Sequence, residues 1–185
     1  NIYRNIDRSK VQFDFVVHGE KKYDYEDEII SLGGNIYKIP SFNKYKIKEY
    51  NIFWNNFFEK HLEYRIIHGH MRSTAYLYLK IARKHNRITI AHSHNTSSGK
   101  GFKGFRKRLM HYPLRRVCDY CFACSLESGQ WLFGNKIIHR DNFKVIYNAV
   151  DLEKFSFNEE IRQKCRKEFE VTEKEYLIGH VGRFQ

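Results

Sequence analysis

Apolar and polar positions alternate along this chain in a pattern that changes period about every fifteen residues. Val11–Val17 (VQFDFVV) has β-branched and aromatic residues at strand spacing and breaks at His18 and Gly19. An acidic helix follows over Tyr25–Leu32, stopped by Gly33 and Gly34, and Ile36–Ile39 is a short strand closed by Pro40. Between Tyr45 and Leu62, the residues Ile47, Tyr50, Trp54, Phe57, Phe58 and Leu62 recur near helical spacing, which predicts a helix burying an aromatic stripe. A strand over Arg65–His68 runs into Gly69 and His70, then a helix over Ser73–His85 with Ser73 or Thr74 placed to cap it. Another strand spans Arg87–Ala91.

Beyond it come a polar turn and a basic, aromatic-bearing helix that Pro113 kinks or restarts. Asp119–Ala123 reads as a strand, Leu126–Phe133 as a helix ended by Gly134, and Phe143–Tyr147 as a strand. Asp151–Phe155 reads as a turn, Asn158–Phe169 as a charged helix and Tyr176–Val181 as a last strand. Strands and helices alternating through short connections predict an α/β fold, a Rossmann-like parallel sheet with helices on both faces. The one domain seam falls in the polar stretch after Tyr147, dividing residues 1–150 from 151–185.

Composition narrows the class. With 42% apolar residues and two prolines in 185, the chain is globular rather than disordered or fibrous. The charge of +12 favours polyanions, anionic membrane surfaces or phosphorylated substrates. No window approaches the roughly 20 apolar residues of a membrane span, and the amino end lacks the apolar run of a signal peptide. The expectation is a cytoplasmic protein, with the inner face of the membrane as a surface on which it can rest.

Candidate chemistry gathers where the strand before Ala91 ends. His92, His94, Asn95, Thr96 and Ser97 lie there, and ligands of open α/β sheets collect beyond the carboxyl ends of strands. Lys100, Lys103, Arg106, Lys107, Arg108, Arg115 and Arg116 follow with no acidic residue between them. The SSGKGFKG turn fits neither a P-loop nor a dinucleotide fingerprint. What remains is a cationic loop and helix start that favour anions. Phe102, Phe105, Leu109 and Tyr112, interleaved with basic residues, fit an interfacial helix as well as a surface helix packed on the sheet. His92 and His94 share one face of a strand, and His68 and His70 repeat the spacing, so zinc is arithmetically possible. Neighbouring carboxylates are missing, and hydrogen bonding to sugar hydroxyls or phosphate is the preferred role.

Cys118, Cys121 and Cys124 spell CxxCxxC. On a continuous strand residues three apart face opposite ways, so the three are not expected to converge on an ion. The parts of a hydrolase (GxSxG, a Cys–His framing, paired carboxylates) do not stand out.

Taken together and in order, DFVVHGEKKYDYEDEIISLGGNIYKIP, IHGH, ITIAHSHNTSSGKG, VCDYCFACSLESGQWLFG, FKVIYNAVDLEKF and LIGHVGRF resemble family 4 glycosyltransferases. The likeness is to bacterial enzymes of capsular or exopolysaccharide assembly. It implies the amino-terminal, acceptor-side domain of a GT-B fold, with the first elements of the donor-side domain after residue 150. It also implies a first, central strand that Asn1–Gln185 does not contain, and two neighbouring strands with open edges; residues Tyr176–Gly182 or a second molecule are expected in that slot.

By this resemblance His94 lies near the transferred sugar, and Arg183 with Gly182 holds the donor diphosphate. Asn95, Thr96, Lys100, Lys103 and Arg106 face a lipid-linked or carbohydrate acceptor or its membrane. The implied reaction is retaining transfer from a nucleotide diphosphate sugar, needing no metal or other cofactor, in a longer protein of which this chain alone is inactive. The alternatives are a basic nucleic-acid-binding module and a peripheral membrane-binding module; the resemblance itself implies no nucleic acid partner.

Overall fold

Among the described residues, six short strands, each too short to stand alone, are held by pairing with parallel neighbours. The computed structural model describes residues 2–70, 72–96 and 111–180, the side chains of Arg72 and Ser73 excepted. After a one-turn helix α1 (Ile2–Asn5) come β1 (Phe15–His18), α2 (Glu26–Ser31) and β2 (Ile36–Ile39). A 3-10 turn (Lys44–Lys46) leads into α3 (Ile47–Lys60), followed by β3 (Ile66–Gly69), α4 (Arg72–Lys84) and β4 (Ile88–Ser93). A second 3-10 turn (Tyr112–Arg116), with Pro113 in its first turn, precedes β5 (Tyr120–Ala123), α5 (Leu126–Phe133), α6 (Asn135–Ile138) and β6 (Phe143–Val145). Helices α7 (Leu152–Phe155) and α8 (Glu159–Glu168) complete the series.

Among the described residues every strand pair is parallel. β1 pairs with β2, and β3–β4–β5–β6 form a second sheet in that order. Among the described residues β1 and β3 each have a strand on one side only. The segments entering these two strands are tied by a polar cluster. Asp14 accepts from the amide of Asn35 at 2.7 Å and from the hydroxyl of Tyr64, which in turn meets Tyr37 at 2.9 Å.

The aromatic stripe of α3 is core: Tyr50, Trp54, Phe57 and Phe58 are buried, with Phe58 at 0% exposure. They pack against Tyr78, Leu79 and Ala82 of α4 in one cluster that continues through Ala91, Cys121 and Phe133. Ile47 and Leu62, the expected ends of the stripe, are exposed, because Ile47 lies in the first turn and Leu62 beyond the last. Gly33 ends α2 at φ 86°, a conformation that disfavours a side chain.

The chain divides into two units, Ile2–Asn148 and the segment from Ala149 onward. In the second, Asn158 caps α8 by accepting from the Ile161 amide at 2.9 Å, and Arg162 pairs with Glu173 at 2.7 Å. The strand expected over Tyr176–Val181 is not formed as far as His180, and Tyr176 and Ile178 are 98% and 93% exposed. A lone strand has no ladder to join, so apolar alternation there has nothing to act on. β1 likewise begins at Phe15 rather than Val11, since Val11 is exposed and unpaired with a strand. Among the described residues no helix is long and apolar enough to cross a membrane.

Candidate functional site

The carboxyl ends of β3 and β4 bring four imidazoles together. Each strand end carries His-x-His, and period-two alternation sends both rings of a pair to the same face. Parallel pairing of His68 with Ile90 and Gly69 with Ala91 then sets the two pairs side by side. His68 Nε2 lies 3.1 Å from His92 Nδ1, and His70 Nδ1 lies 2.8 Å from His94 Nε2. Ring centroids are 4.2 Å apart along each strand and 5.1–5.2 Å across, with the His68 and His92 planes within 3° of parallel. Phe122 of β5 meets His68 and His92 edge to face.

This crowding decides the charge of the stack. Desolvation first, then repulsion from the other rings, lowers His68 to about 3, and His70 and His92 to about 4. Desolvation lowers His94 as well. At neutral pH the stack is therefore uncharged, and its rings act as hydrogen-bonding groups and lone-pair donors rather than as cations. β4 extends two residues past the expected Ala91, which places His92 inside the strand with 7% exposure, while His94 is exposed at its mouth.

The exposed turn that follows is anchored from below. Ser93 and Ser128 both have 0% exposure; the Ser128 hydroxyl donates to Ser93 Oγ at 2.7 Å, and Ser93 donates to the Ser128 carbonyl at 2.9 Å. Both hydroxyls also approach the Asn95 carbonyl, at 3.3 and 3.4 Å. Ser125 caps α5 by accepting from the Ser128 amide at 3.1 Å, so the turn, the strand end and the helix start share one network.

Of the residues singled out in the sequence, the structure brings His94, Asn95 and Thr96 to the open end of the parallel sheet, all exposed. Lys100, Lys103, Arg106, Gly182 and Arg183 lie outside the described residues, as do Ser97 and most of the stretch in which a basic helix was expected. Of the basic run that is described, Arg115 lies over the ring of Tyr112 at 5.0 Å and donates to the Leu132 carbonyl at 3.4 Å. The two His-x-His pairs were expected at strand ends, with zinc arithmetically possible; their stacking ring against ring was not anticipated.

The strand alternation expected to separate Cys118 from Cys121 does not hold. Cys118 lies in the turn before β5, so strand alternation does not govern it, and its sulfur lies 2.9 Å from that of Cys121, both buried. The contact pushes the Cys121 thiol up and the Cys118 thiol down.

Against known proteins, residues 1–154 match the family model described as Glycosyltransferase Family 4. The chain is 30% identical over 189 residues to EpsF of Bacillus subtilis (strain 168), a protein named as a glycosyltransferase. The alignment takes in 100% of this chain and 49% of EpsF, so the chain spans about half the length of that relative. Among solved structures, Anabaena HepE in complex with UDP superposes with a TM-score of 0.63 at 15% identity, over 84% of this chain and 42% of HepE. HepE with UDP-glucose gives 0.53 at 16% identity, over 85% and 49%. A glycosyltransferase from Rickettsia africae gives 0.55 at 17% identity, over 85% and 41%. At these identities the structures share the fold, a GT-B half with parallel strands flanked by helices.

Proposed function

Because this chain belongs to glycosyltransferase family 4, we propose that the intact protein transfers a sugar from a nucleoside diphosphate sugar to a lipid-linked precursor of an exopolysaccharide or capsular polysaccharide, with retention at the anomeric carbon. Residues 1–150 form the acceptor-side half, and residues 151–185 begin the donor-side half. The single observation that carries the reading is the exposed, uncharged His94 at the open end of an all-parallel sheet. A neutral imidazole at that place can donate to or accept from a sugar hydroxyl without bringing a charge to the donor diphosphate. The UDP and UDP-glucose bound by HepE support a uridine diphosphate sugar as donor.

In this reading Asn95 and Thr96 contact the acceptor, and Lys100, Lys103 and Arg106 meet its phosphate or the anionic inner surface of the membrane. Arg183, with a guanidinium suited to forked phosphate contacts, and Gly182 serve the diphosphate. The donor is a substrate, and the transfer is written without a resident cofactor. The chain by itself, with half of the donor site elsewhere, is inactive.

The test is turnover by the intact protein with a panel of nucleoside diphosphate sugars, alongside His94→Ala and Arg183→Ala. Loss of transfer in both, with donor binding lost only in Arg183→Ala, is the expected result. Normal turnover by His94→Ala would overturn the assignment. Binding to random nucleic acid that falls steeply with salt would favour the nucleic-acid reading instead. Binding to anionic vesicles with no transfer activity would favour a membrane adaptor.

A further inference from the structure

The sugar-transfer reading uses one imidazole of four. We propose that His68, His70 and His92 form a binding site for a divalent transition-metal ion of the zinc class, across the carboxyl ends of β3 and β4. The site is independent of the transfer reading, since it concerns rings other than His94 and would bind its ion whether or not the chain transfers sugar.

The donor set is on hand. Each of the three rings offers a nitrogen, and the three nitrogens lie within 4.8 Å of one another. Tetrahedral ligands at zinc–nitrogen distances of about 2.0–2.1 Å stand about 3.3 Å apart, so closure asks for ring movements on the order of 1 Å. His68 and His70 are exposed, which leaves them that freedom and leaves an ion a way in.

His92 supplies the second, separate observation. Its side chain belongs to a residue with 7% exposure, and its Nε2 has no hydrogen-bond partner among the described residues. A buried ring nitrogen left unmatched is unfavourable, and a cation is one partner that satisfies it. The Nδ1 of the same ring faces His68 Nε2 at 3.1 Å; with His92 Nε2 on an ion that Nδ1 carries the proton, and His68 joins the site by giving up this contact for the ion. His70 is oriented in the way ligating imidazoles are, with its Nδ1 held by another group, here His94 at 2.8 Å. A set of imidazoles without a carboxylate selects zinc, cobalt, nickel or copper over magnesium or calcium. Such an ion would clamp β3 to β4 beside the edge where β3 has no other described strand neighbour.

The purified chain, stripped with a chelator, is titrated with cobalt(II) chloride alone and followed by visible absorption; zinc chloride then displaces the cobalt. One equivalent of cobalt is expected, with the ligand-field bands of an imidazole site and no thiolate-to-metal charge-transfer band. His70→Gln should weaken binding at least about 100-fold, the upper end of what loss of a ligand's hydrogen-bond partner costs. His139→Gln, at an exposed histidine after α6, should leave it unchanged. Because His92→Gln changes a buried ring and can unfold the chain, the decision rests on the exposed His70, with circular dichroism showing that the variant is folded. As a second measurement, equimolar zinc should raise the melting temperature of the wild type and not of His70→Gln. A thiolate band, which would point to Cys118 and Cys121, overturns the proposal. So does undiminished binding by folded His70→Gln, or the lack of saturable binding by the wild type.

Discussion

The hydroxyl pair beneath the candidate site offers a sharp test of how the turn bearing His94 is held. Replacing Ser93 by Ala removes the bond it donates to the Ser128 carbonyl (2.9 Å) and the one it accepts from the Ser128 hydroxyl (2.7 Å). The Ser128 hydroxyl, still buried, is left with the Asn95 carbonyl at 3.3 Å. At about 1 kcal/mol for each bond, with a penalty for the poorly satisfied hydroxyl, Ser93→Ala should destabilise by about 2–3 kcal/mol. Ser128→Ala leaves Ser93 bonded to the Ser128 carbonyl and should cost about 1 kcal/mol.

In the double variant both bonds are already gone and no hydroxyl is stranded, so its cost should stay near about 2 kcal/mol rather than reach the sum. Urea unfolding followed by the fluorescence of Trp54 and Trp131 reads all three. With a slope of about 2 kcal/mol/M, the Ser93→Ala midpoint should fall by about 1 M. Strictly additive costs, or single variants indistinguishable from wild type, would refute the network. In the intact protein, the same Ser93→Ala change should lower the proposed sugar transfer, because the segment 94–96 loses its floor.

Three further outcomes follow from packing and charge. A Cβ on Gly129 would sit 2.4 Å from the Phe143 ring and 3.2 Å from Ala123, so Gly129→Ala should destabilise by about 1–3 kcal/mol. The gain in helix propensity of about 1 kcal/mol offsets only part of this, and adding Phe143→Leu should recover part of the lost melting temperature. Phe58→Ala, at a fully buried ring, should cost about 3–5 kcal/mol in urea unfolding. Desolvation opposes ionisation of Asp14, yet bonds from Asn35 and Tyr64 outweigh it and hold the carboxyl below its usual range. Its folded pKa is thus lower than the unfolded value of about 3.9. The stability it confers is full above that value and fades as pH falls through the folded pKa. The difference in urea midpoint between wild type and Asp14→Asn should shrink on acidification below about pH 4, and a difference independent of pH would remove Asp14 from that role.

What could be read in advance was whatever a local period controls. The aromatic spacing from Tyr50 to Phe58, the glycine stops at Gly33 and Gly134, and α5 at Leu126–Phe133 are local matters and stand in the structure. The parallel sheet followed from strand and helix alternation, since short crossovers leave few other topologies. Failures came where a partner decides. Val11–Asp14 and Tyr176–His180 are strand-like in pattern but are not in a ladder. Cys118 and Cys121 touch because a turn intervenes where a continuous strand was assumed. The histidine stack is the plainest case. Two His-x-His pairs were visible, but their meeting depends on the register of β3 against β4, which no single-strand pattern contains.

That register also links the two roles assigned to the stack. If His70 gives its Nε2 to an ion, its Nδ1 keeps the proton, and the contact at 2.8 Å becomes a bond donated from His70 to Nε2 of His94. A neutral His94 that accepts at Nε2 must carry its own proton on Nδ1. The exposed ring would then meet a substrate only as a donor, suited to a hydroxyl or phosphate oxygen. With the trio unligated, the His70–His94 bond can run in either direction, and His94 presents a donor in one arrangement and an acceptor in the other. An ion bound behind the site would thus fix the tautomer of the residue in front of it without touching the sugar.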